Sequence, residues 1–233
     1  MKIAVIPARG GSKRIPGKNI RPFCGKPMIS FPLRAAIASG CFDRVIVSTD
    51  SERIAETARA EGAEIPFTRP APLADDHTPT APVVQHAINW IESQGVAPRL
   101  VCCLYPTAPF VLASDLRLGL RALEEADADF SIAVTRFNFP IQRALRLDAK
   151  GRLGMFDQTQ YALRSQDLEP AYHDAGQFYW GSTAAWKQAR NPYAATTVPV
   201  IIPPWRVQDI DTPEDWIRAE RLYEALPASE RQP

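Results

Sequence analysis

The sequence lacks the features of membrane-spanning, disulfide-bonded and zinc-binding proteins. No stretch of its 233 residues approaches the roughly 20 apolar residues of a transmembrane helix. The short apolar run near the N-terminus is followed at once by charged residues, unlike a secretory signal peptide. Its four cysteines have neither C-x-x-C spacing nor a matching histidine pair, so no zinc site or disulfide framework is predicted. We therefore expect a cytoplasmic protein with no membrane partner.

An excess of charge of either sign is also absent. The chain carries 27 Lys and Arg residues against 26 Asp and Glu residues, a formal net charge of +1. Proteins that act mainly on nucleic acid or on anionic membranes carry a clear positive excess. No nucleic-acid partner is therefore expected, although a local cationic pocket is compatible with this balance.

Apolar runs of strand length alternate with segments of helix length through most of the chain. This alternation predicts a parallel sheet covered by helices on both faces. Strands are predicted at residues 3–7, 44–50, 63–67, 100–105, 130–135 and 198–202. Helices are predicted at residues 29–39, 51–61, 83–94 and 114–126, and from residue 211 onward.

Cap residues mark several of these boundaries. Gly40 and Gly62 are expected to end the first two helices. Ser114 is expected to cap the fourth helix. Thr212, followed by Pro213 and acidic residues, predicts the start of the last helix.

A less regular stretch at residues 136–180 interrupts the alternation. Short hairpin strands are predicted there at residues 144–147 and 179–180, with a turn at 148–151. No repeat or low-complexity linker divides the chain. We expect one domain over residues 1–233, a three-layer, doubly wound α/β fold with a mainly parallel mixed sheet and a small insert.

A glycine-rich, cationic loop follows the first predicted strand. Ligands of open α/β sheets bind beyond the carboxyl ends of the strands. Two adjacent glycines let the backbone approach a ligand and point amides at phosphate oxygens. The four cations, which suit a triphosphate, are Arg9, Lys13, Arg14 and Lys18. The alternative is a solvated basic turn, which the position after a buried strand disfavours.

Two common phosphate-binding motifs do not match this loop. A P-loop would need glycine five residues before Gly17 and a hydroxyl residue after Lys18, where the chain has Ser12 and Asn19. A dinucleotide fingerprint needs alternating glycines, whereas those of the loop are adjacent. A nicotinamide-dependent oxidoreductase on the same kind of sheet is therefore disfavoured.

Asp209 and Asp211 are separated by one residue. In an extended segment their carboxylates face the same side, about 6 to 7 Å apart. Such a pair suits a magnesium ion that also takes phosphate oxygens and waters. The alternative is an ordinary helix N-terminus, which Glu214 and Asp215 already fit and which Asp211 could also fit.

The loop sequence Ile-Pro-Ala-Arg-Gly-Gly-Ser-Lys at residues 6–13, followed by Lys18 and Asn19, resembles that of the sialic-acid cytidylyltransferases. The resemblance implies a nucleotide-diphospho-sugar transferase-like fold and transfer of CMP from CTP to a nonulosonic acid. It continues at residues 47–50, 69–70, 73–76, 105–109 and 209–215, and so spans nearly the whole chain.

Several residue roles follow from this resemblance. Arg9 and Lys13 would contact the triphosphate and stabilise the departing pyrophosphate, and Asp209 and Asp211 would hold the catalytic magnesium ion. These four form the expected catalytic set. The expected nucleotide-binding residues are Ala8, Arg9, Gly10, Gly11, Ser12, Lys13, Lys18 and Asn19, with Arg69, Thr78 and Thr80 for the cytosine and ribose.

The sugar side is expected in the second half of the chain, where polar and aromatic residues cluster. The motifs at residues 140–144, 164–169 and 172–181 resemble the pseudaminic acid subgroup of the family. Tyr105 and Ala108 stand where many neuraminic acid enzymes have Gln and Ser. The candidate sugar-binding residues are Tyr105, Thr107, Gln142, Arg143, Arg164, Tyr172, His173, Asp174, Gln177 and Phe178. For His173 alone, an ordinary hairpin histidine is the simpler interpretation.

Either Arg143 or Arg164 is expected to bind the sugar carboxylate, since arginine offers a two-pronged donor. The family also implies a homodimer formed through the insert at residues 136–180, with the partner lending residues to the sugar pocket. The resemblance thus implies transfer of CMP to a nonulosonic acid, most closely pseudaminic acid, for surface glycan or flagellin glycosylation. The alternatives are a CMP-N-acetylneuraminate, CMP-legionaminate or CMP-Kdo synthetase and, outside enzymes, a nucleotide-sensing module.

Overall fold

The computed structural model describes residues 1–193 and 196–231, and these ranges contain ten strands and six α-helices. The strands are β1 (Lys2–Pro7), β2 (Pro22–Phe23), β3 (Lys26–Pro27), β4 (Arg44–Ser48), β5 (Leu100–Leu104), β6 (Phe130–Arg136), β7 (Leu145–Leu147), β8 (Leu153–Met155), β9 (Tyr172–Ser182) and β10 (Thr197–Ile201). The helices are α1 (Ser30–Ser39), α2 (Glu52–Ala60), α3 (Thr80–Ser93), α4 (Ala113–Glu125), α5 (Thr183–Lys187) and α6 (Pro213–Ala225).

Six of the strands form one central sheet in the order β10-β6-β9-β5-β1-β4. The pairs β1–β4, β1–β5 and β6–β10 are parallel, whereas β9 runs antiparallel to β5 and β6. The expected mainly parallel mixed sheet is therefore confirmed. Residues 179–180, expected in a short hairpin strand of the insert, belong instead to the 11-residue β9. Most of β9 is buried, so its sequence lacks the polar alternation of a half-exposed strand.

Helices cover both faces of the sheet, because alternate strand residues point to opposite sides. Val5 of β1 packs in one layer with Val84 of α3 and Trp186 of α5. Ile6 packs in the other layer with residues of α1, α2 and α4, such as Leu116. The three-layer α/β architecture is thus confirmed.

A third apolar cluster joins α6 to the β2–β3 hairpin. Phe23 makes edge-to-face contacts with Trp216 and Tyr223, with ring centroids 5.6 and 5.5 Å apart. Ile210 is only 1% exposed and belongs to the same cluster. Since Ile210 separates the two aspartates of interest, this cluster fixes the segment that carries them.

Three local predictions were wrong. Residues 63–67 form no strand but only isolated bridges at Glu64 and Thr68, because the intervening Pro66 has no N–H for a ladder. Helix α3 begins at Thr80 rather than at residue 83, since a helix tolerates the proline at position 82 in its first turn. Ser114 does not cap α4: the Asp115 carboxylate accepts the Leu112 N–H at 3.0 Å instead.

Other cap predictions are confirmed. Gly40 and Gly62 adopt φ of 64° and 89°, the left-handed region that glycine enters without strain. Thr212 and Asp215 form a reciprocal capping box at the start of α6.

The insert carries the antiparallel hairpin of β7 and β8. Its predicted turn at residues 148–151 is present, with the Gly151 N–H donating to Asp148 O at 2.9 Å. All four cysteines are free thiols, as their spacing predicted. No helix within residues 1–193 and 196–231 is long and apolar enough to cross a membrane.

Candidate functional site

A cavity of about 440 Å³ lies beyond the carboxyl ends of β1 and β5. We call it the cationic cavity, because Arg9, Lys13, Arg14 and Lys18 all line it. It collects eight of the predicted nucleotide-binding residues: Arg9, Ser12, Lys13, Lys18, Asn19, Arg69, Thr78 and Thr80. The sequence thus identified residues that are far apart in the chain but share one cavity.

The remaining predicted loop residues, Ala8, Gly10 and Gly11, are not part of this lining. Ala8 is fully buried, and its N–H donates to Ser48 O at 3.0 Å. The Gly10 N–H donates to Asp50 Oδ1 at 2.8 Å, so that amide does not point at a ligand as expected. A Cβ on Gly10 would lie 3.0 Å from Ser51 Cβ, so close packing accounts for a glycine at this position.

Two buried side chains shape the cavity wall. Asn19 Nδ2 donates to Arg9 O at 2.9 Å and so holds the cationic loop in its curve. The Arg69 guanidinium donates from Nε to Ser48 Oγ at 3.1 Å and from Nη2 to Ser48 O. Burial lowers the pKa of Arg69 to about 10, which leaves it positively charged at neutral pH. Arg69 therefore brings a fixed charge to the end of β4.

Asp76 neutralises the two cations expected to bind phosphate. Its carboxylate pairs with Lys13 Nζ at 2.5 Å and with Arg9 Nη1. Lys13 and then Arg9 hold the pKa of Asp76 down at about 2. An incoming phosphate would therefore compete with this carboxylate for both side chains. Asp76 belongs to the family motif at residues 73–76, but no role was predicted for it from the sequence.

The two predicted metal ligands lie on the segment before α6. Asp211 pairs with Arg14 Nη1 at 2.9 Å and with Lys18 Nζ at 3.3 Å. Lys18 Nζ also donates to Ile210 O at 2.5 Å. Asp209 is exposed overall, but partial desolvation of its carboxylate, followed by the charge of Asp211, raises its pKa, while Lys18 opposes that shift.

The donor set around Asp209 and Asp211 fits a magnesium ion. Two neighbouring carboxylates favour a divalent cation that would neutralise both. Within residues 1–193 and 196–231, no group of three or more His, Cys, Asp or Glu residues is arranged so that it could hold a metal ion. Magnesium typically binds one or two carboxylates and completes its shell with phosphate oxygens and waters.

A second cavity, of about 450 Å³, adjoins the first. We call it the β9 cavity, because Asp174 and its neighbours in β9 form part of its lining. Its lining consists of Tyr105, Thr107, His173, Asp174, Ala175, Gly176, Val207, Gln208 and Asp209. Tyr105 and Thr107 line the cationic cavity as well. A ligand in one cavity would therefore meet a ligand in the other at these two side chains.

Tyrosine hydroxyl groups surround one carboxylate of the β9 cavity. Asp174 Oδ2 accepts from Tyr193 Oη at 2.9 Å and also from Tyr179 Oη. Asp174 Oδ1 accepts the Gly176 N–H at 2.8 Å. Both oxygens of Asp174 thus have partners within the chain. His173 Nδ1 donates to the Asp174 carbonyl oxygen at 2.8 Å.

Tyr105 connects the two cavities through its hydroxyl. Tyr105 Oη lies 3.4 Å from Thr80 Oγ1, and its ring packs edge-to-face on Tyr179 at 5.6 Å. Burial raises the pKa of Tyr105 to about 12, so the phenol stays neutral at ordinary pH.

The other predicted sugar residues do not line the β9 cavity of their own chain. Gln177 and Phe178 are 3% and 0% exposed. The Gln177 side chain donates to the buried Arg206 carbonyl, and Phe178 packs beside Gly119. Both were expected to contact the sugar, but neither side chain can reach a ligand in this arrangement. The four exposed or half-buried residues Gln142, Arg143, Arg164 and Tyr172 lie in or beside the insert, outside that lining.

Some residues that line the cavities or support them were not predicted from the sequence. Gln208 lines the β9 cavity beside Asp209, and its position next to the aspartate pair was the available signal. Asp115 and Arg206 form a buried ion pair beneath this segment. No motif marks them, and only the fold brings residues 91 positions apart together.

Comparisons with known proteins identify the family of the chain. A family model described as cytidylyltransferase matches residues 3–194. A pseudaminic acid cytidylyltransferase of Campylobacter jejuni is 43% identical over 221 residues, covering 95% of each chain. A CMP-N,N'-diacetyllegionaminic acid synthase of Legionella pneumophila is 31% identical over 95% of this chain and 96% of its own.

Among solved structures, a CMP:2-keto-3-deoxy-manno-octonic acid synthetase complexed with CTP matches with a TM-score of 0.69. The match covers 95% of this chain and 97% of that one at 16% identity. At that identity the likeness supports the fold alone.

Proposed function

The chain belongs to the cytidylyltransferase family of nucleotidyltransferase enzymes, and on this premise we propose that it transfers CMP from CTP to pseudaminic acid. The products are CMP-pseudaminic acid and pyrophosphate. One observation carries the proposal: a cavity lined by four cations shares Tyr105 and Thr107 with a second cavity that contains Asp209. A triphosphate in the first and a sugar acid in the second would meet at that boundary.

In this proposal the chemistry is a direct displacement at phosphorus. The anomeric hydroxyl oxygen of the sugar attacks the α-phosphorus of CTP, and the bond from that phosphorus to the bridging oxygen breaks. Pyrophosphate leaves with the electron pair, and the hydroxyl proton passes to solvent. Among the described residues, neither cavity lining pairs a serine or cysteine with a histidine, so the protein acts in this proposal by positioning and by charge.

Arg9 and Lys13 stabilise the departing pyrophosphate in this proposal. Both must exchange the carboxylate of Asp76 for phosphate oxygens, which are equally good acceptors and carry more charge. Arg69 keeps a positive charge at the end of β4, and Thr78 and Thr80 offer hydroxyls to the ribose and base.

Asp209 and Asp211 would hold a magnesium ion, which when bound supplies charge neutralisation and alignment of phosphate oxygens. Arg14 and Lys18 pair with Asp211 and keep its carboxylate ordered before any ligand arrives. Replacing Asp211 by asparagine should remove most turnover without unfolding the protein. An Asp211→Asn enzyme with wild-type turnover and wild-type dependence on magnesium would contradict the assignment.

Two observations support pseudaminic acid over related sugars. The pseudaminic relative is 43% identical, against 31% for the legionaminic one over a similar span. Tyr105 also stands at the boundary between the cavities, where many neuraminic acid enzymes have glutamine.

The test is a panel of pseudaminic, legionaminic, N-acetylneuraminic and 3-deoxy-octulosonic acids, each with CTP and magnesium, with pyrophosphate release as the readout. Pseudaminic acid should give the highest kcat/KM. A higher kcat/KM for any other acid of the panel would overturn the sugar assignment.

We also propose a homodimer formed through the insert. Large apolar side chains of the insert are exposed, among them Phe139 at 83%, Leu147 at 68% and Leu153 at 70%. Arg143 and Arg164 lie there as well, outside the β9 cavity of their own chain, so a partner's insert would bring the arginine that binds the sugar carboxylate. A Leu147→Asp/Leu153→Asp variant should sediment as a monomer with a raised sugar KM. A monomeric wild-type protein would refute the dimer.

The proposed reaction belongs in the cytoplasm, where CTP is available, and its product would serve as the donor for surface glycan or flagellin glycosylation. Activity recovered in the cytoplasmic fraction of cells would support that location. Activity recovered outside it would contradict it.

A further inference from the structure

Gln177 links two chain segments that both line the β9 cavity. One is the start of β9, which contributes Asp174 and Gly176, and the other is the segment of Val207 and Asp209. Gln177 follows the first segment directly, and its Nε2 donates to Arg206 O at 2.7 Å, directly before the second. The side chain is only 3% exposed, so water does not compete for this bond.

The side chain of Arg206 is itself held by hydrogen bonds. Its guanidinium donates to both carboxylate oxygens of Asp115, at 2.6 and 3.1 Å, and from Nη1 to Phe110 O at 3.3 Å. Both members of the pair are less than 10% exposed. The side chain of Arg206 is thus anchored, whereas its main-chain carbonyl is held by the Gln177 amide.

The chain runs from Arg206 to Asp209 in three residues without regular structure. Beyond Asp209, buried Ile210 anchors the chain, and the Asp215 carboxylate accepts the Asp211 N–H at 3.2 Å. The segment is thus held on its C-terminal side by α6 and on its N-terminal side by Arg206. The hydrogen bond from Gln177 to Arg206 connects that N-terminal side of the segment to β9.

We infer that Gln177 is a positioning residue that sets the separation of β9 from the segment carrying Asp209. This inference rests on the proposed function, because it assigns the β9 cavity to the sugar and Asp209 to the metal. Gln177 would touch neither ligand. Loss of its bond would let Asp209 shift away from the boundary at Tyr105 and Thr107, and small displacements of catalytic groups are costly.

The test compares Gln177→Met with Gln85→Met. Methionine resembles glutamine in length and lacks the amide donor. Gln85 makes a matched bond, from Nε2 to Trp186 O at 2.8 Å, but lines neither cavity. Removing supporting bonds of this kind around metal ligands typically costs about 10- to 100-fold in affinity or activity. We therefore expect Gln177→Met to raise the sugar KM or lower kcat by about tenfold or more, whereas Gln85→Met stays near wild type.

Two binding measurements separate this role from general destabilisation. Calorimetry with CTP alone should give similar affinities for wild type and both variants. Water-proton relaxation with Mn²⁺ and CTP should show a weaker Mn²⁺–CTP complex for Gln177→Met only, by about tenfold. Gln177→Leu, which also lacks the amide donor, should behave like Gln177→Met and serves if the latter does not fold.

The inference is overturned if Gln177→Met matches wild type in kinetics and in the Mn²⁺–CTP complex, or if both glutamine variants lose activity equally. Its failure is distinct from failure of the proposed function. If the wild type turns over no nonulosonic acid, the proposed function fails, and the Mn²⁺–CTP comparison still decides whether Gln177 positions Asp209.

Discussion

Replacing Arg206 by methionine would leave the carboxylate of Asp115 buried without its charged partner. In the wild type two hydrogen bonds, of 2.6 and 3.1 Å, join the two groups, whose side chains are 7% and 9% exposed. Removing one member of a buried pair typically costs about 3–5 kcal/mol, because the remaining charge is uncompensated. Asp115 would keep only its bond from the Leu112 N–H.

That cost predicts a large change in thermal stability. For chains of 150–250 residues, 1 kcal/mol shifts the Tm by about 2–4 °C. Arg206→Met should therefore lower the Tm by about 6–20 °C. The double variant Asp115→Leu/Arg206→Met removes both charges, and apolar replacements of buried pairs are often neutral. It should recover most of the loss, except about 1 kcal/mol for the lost cap of α4.

Urea unfolding followed by circular dichroism gives the free energies of all four members of this double-mutant cycle. The expected coupling between Asp115 and Arg206 is about 2 kcal/mol or more. A cost below about 1 kcal/mol for Arg206→Met would refute the reasoning, because an exposed pair contributes no more than that. Additive effects of the two substitutions would refute it too.

Three further predictions concern Asp76, Gly119 and Tyr105. Asp76→Asn removes the carboxylate that occupies Arg9 and Lys13, so calorimetry should show tighter binding of CTP by severalfold; weaker binding would contradict competition. A Cβ on Gly119 would lie 2.8 Å from Phe178 Cε2 and 2.9 Å from Trp180 Cδ1. In Gly119→Ala, overpacking should therefore lower the free energy of unfolding by about 1–3 kcal/mol, and the higher helix propensity of alanine should restore about 1 kcal/mol. A variant more stable than wild type in urea unfolding would contradict that balance. The pKa of Tyr105 is raised to about 12 by burial, above its unfolded value near 10. Its contribution to stability is thus complete below about pH 10 and declines as the pH rises toward 12. The difference in absorbance between wild type and Tyr105→Phe should show no phenolate below about pH 11. Ionisation of Tyr105 at a lower pH would contradict the burial of its hydroxyl group.

The sheet and its helices were largely predictable because their signals are local. Buried strands such as β1 and β5 read as continuous apolar runs, and Gly40 or Thr212 mark boundaries by their own backbone chemistry. The antiparallel β9 was less visible, since polar residues such as His173 and Asp174 precede its buried half. Its place between β5 and β6 depends on long-range pairing that no local pattern encodes.

In the candidate site, too, the local features were predictable from the sequence and the long-range contacts were not. The cationic loop is contiguous in sequence, so its ligand class follows from composition and position. The partners of its cations do not: Asp76 meets Arg9 from 67 positions away, and Asp211 meets Arg14 from 197 positions away. Gln177 was expected at the sugar because it lies among sugar-like motifs, but the alternation of β9 turns its side chain into the interior.

The central claim is that the chain joins CMP to a nonulosonic acid where its two cavities meet. Phosphorus NMR of one reaction with CTP, magnesium and pseudaminic acid tests it most directly. We predict that the three CTP signals disappear while a CMP-sugar phosphodiester and pyrophosphate appear in equal amounts. Release of CMP and pyrophosphate without the phosphodiester, or unchanged CTP in the presence of folded protein, would contradict the claim.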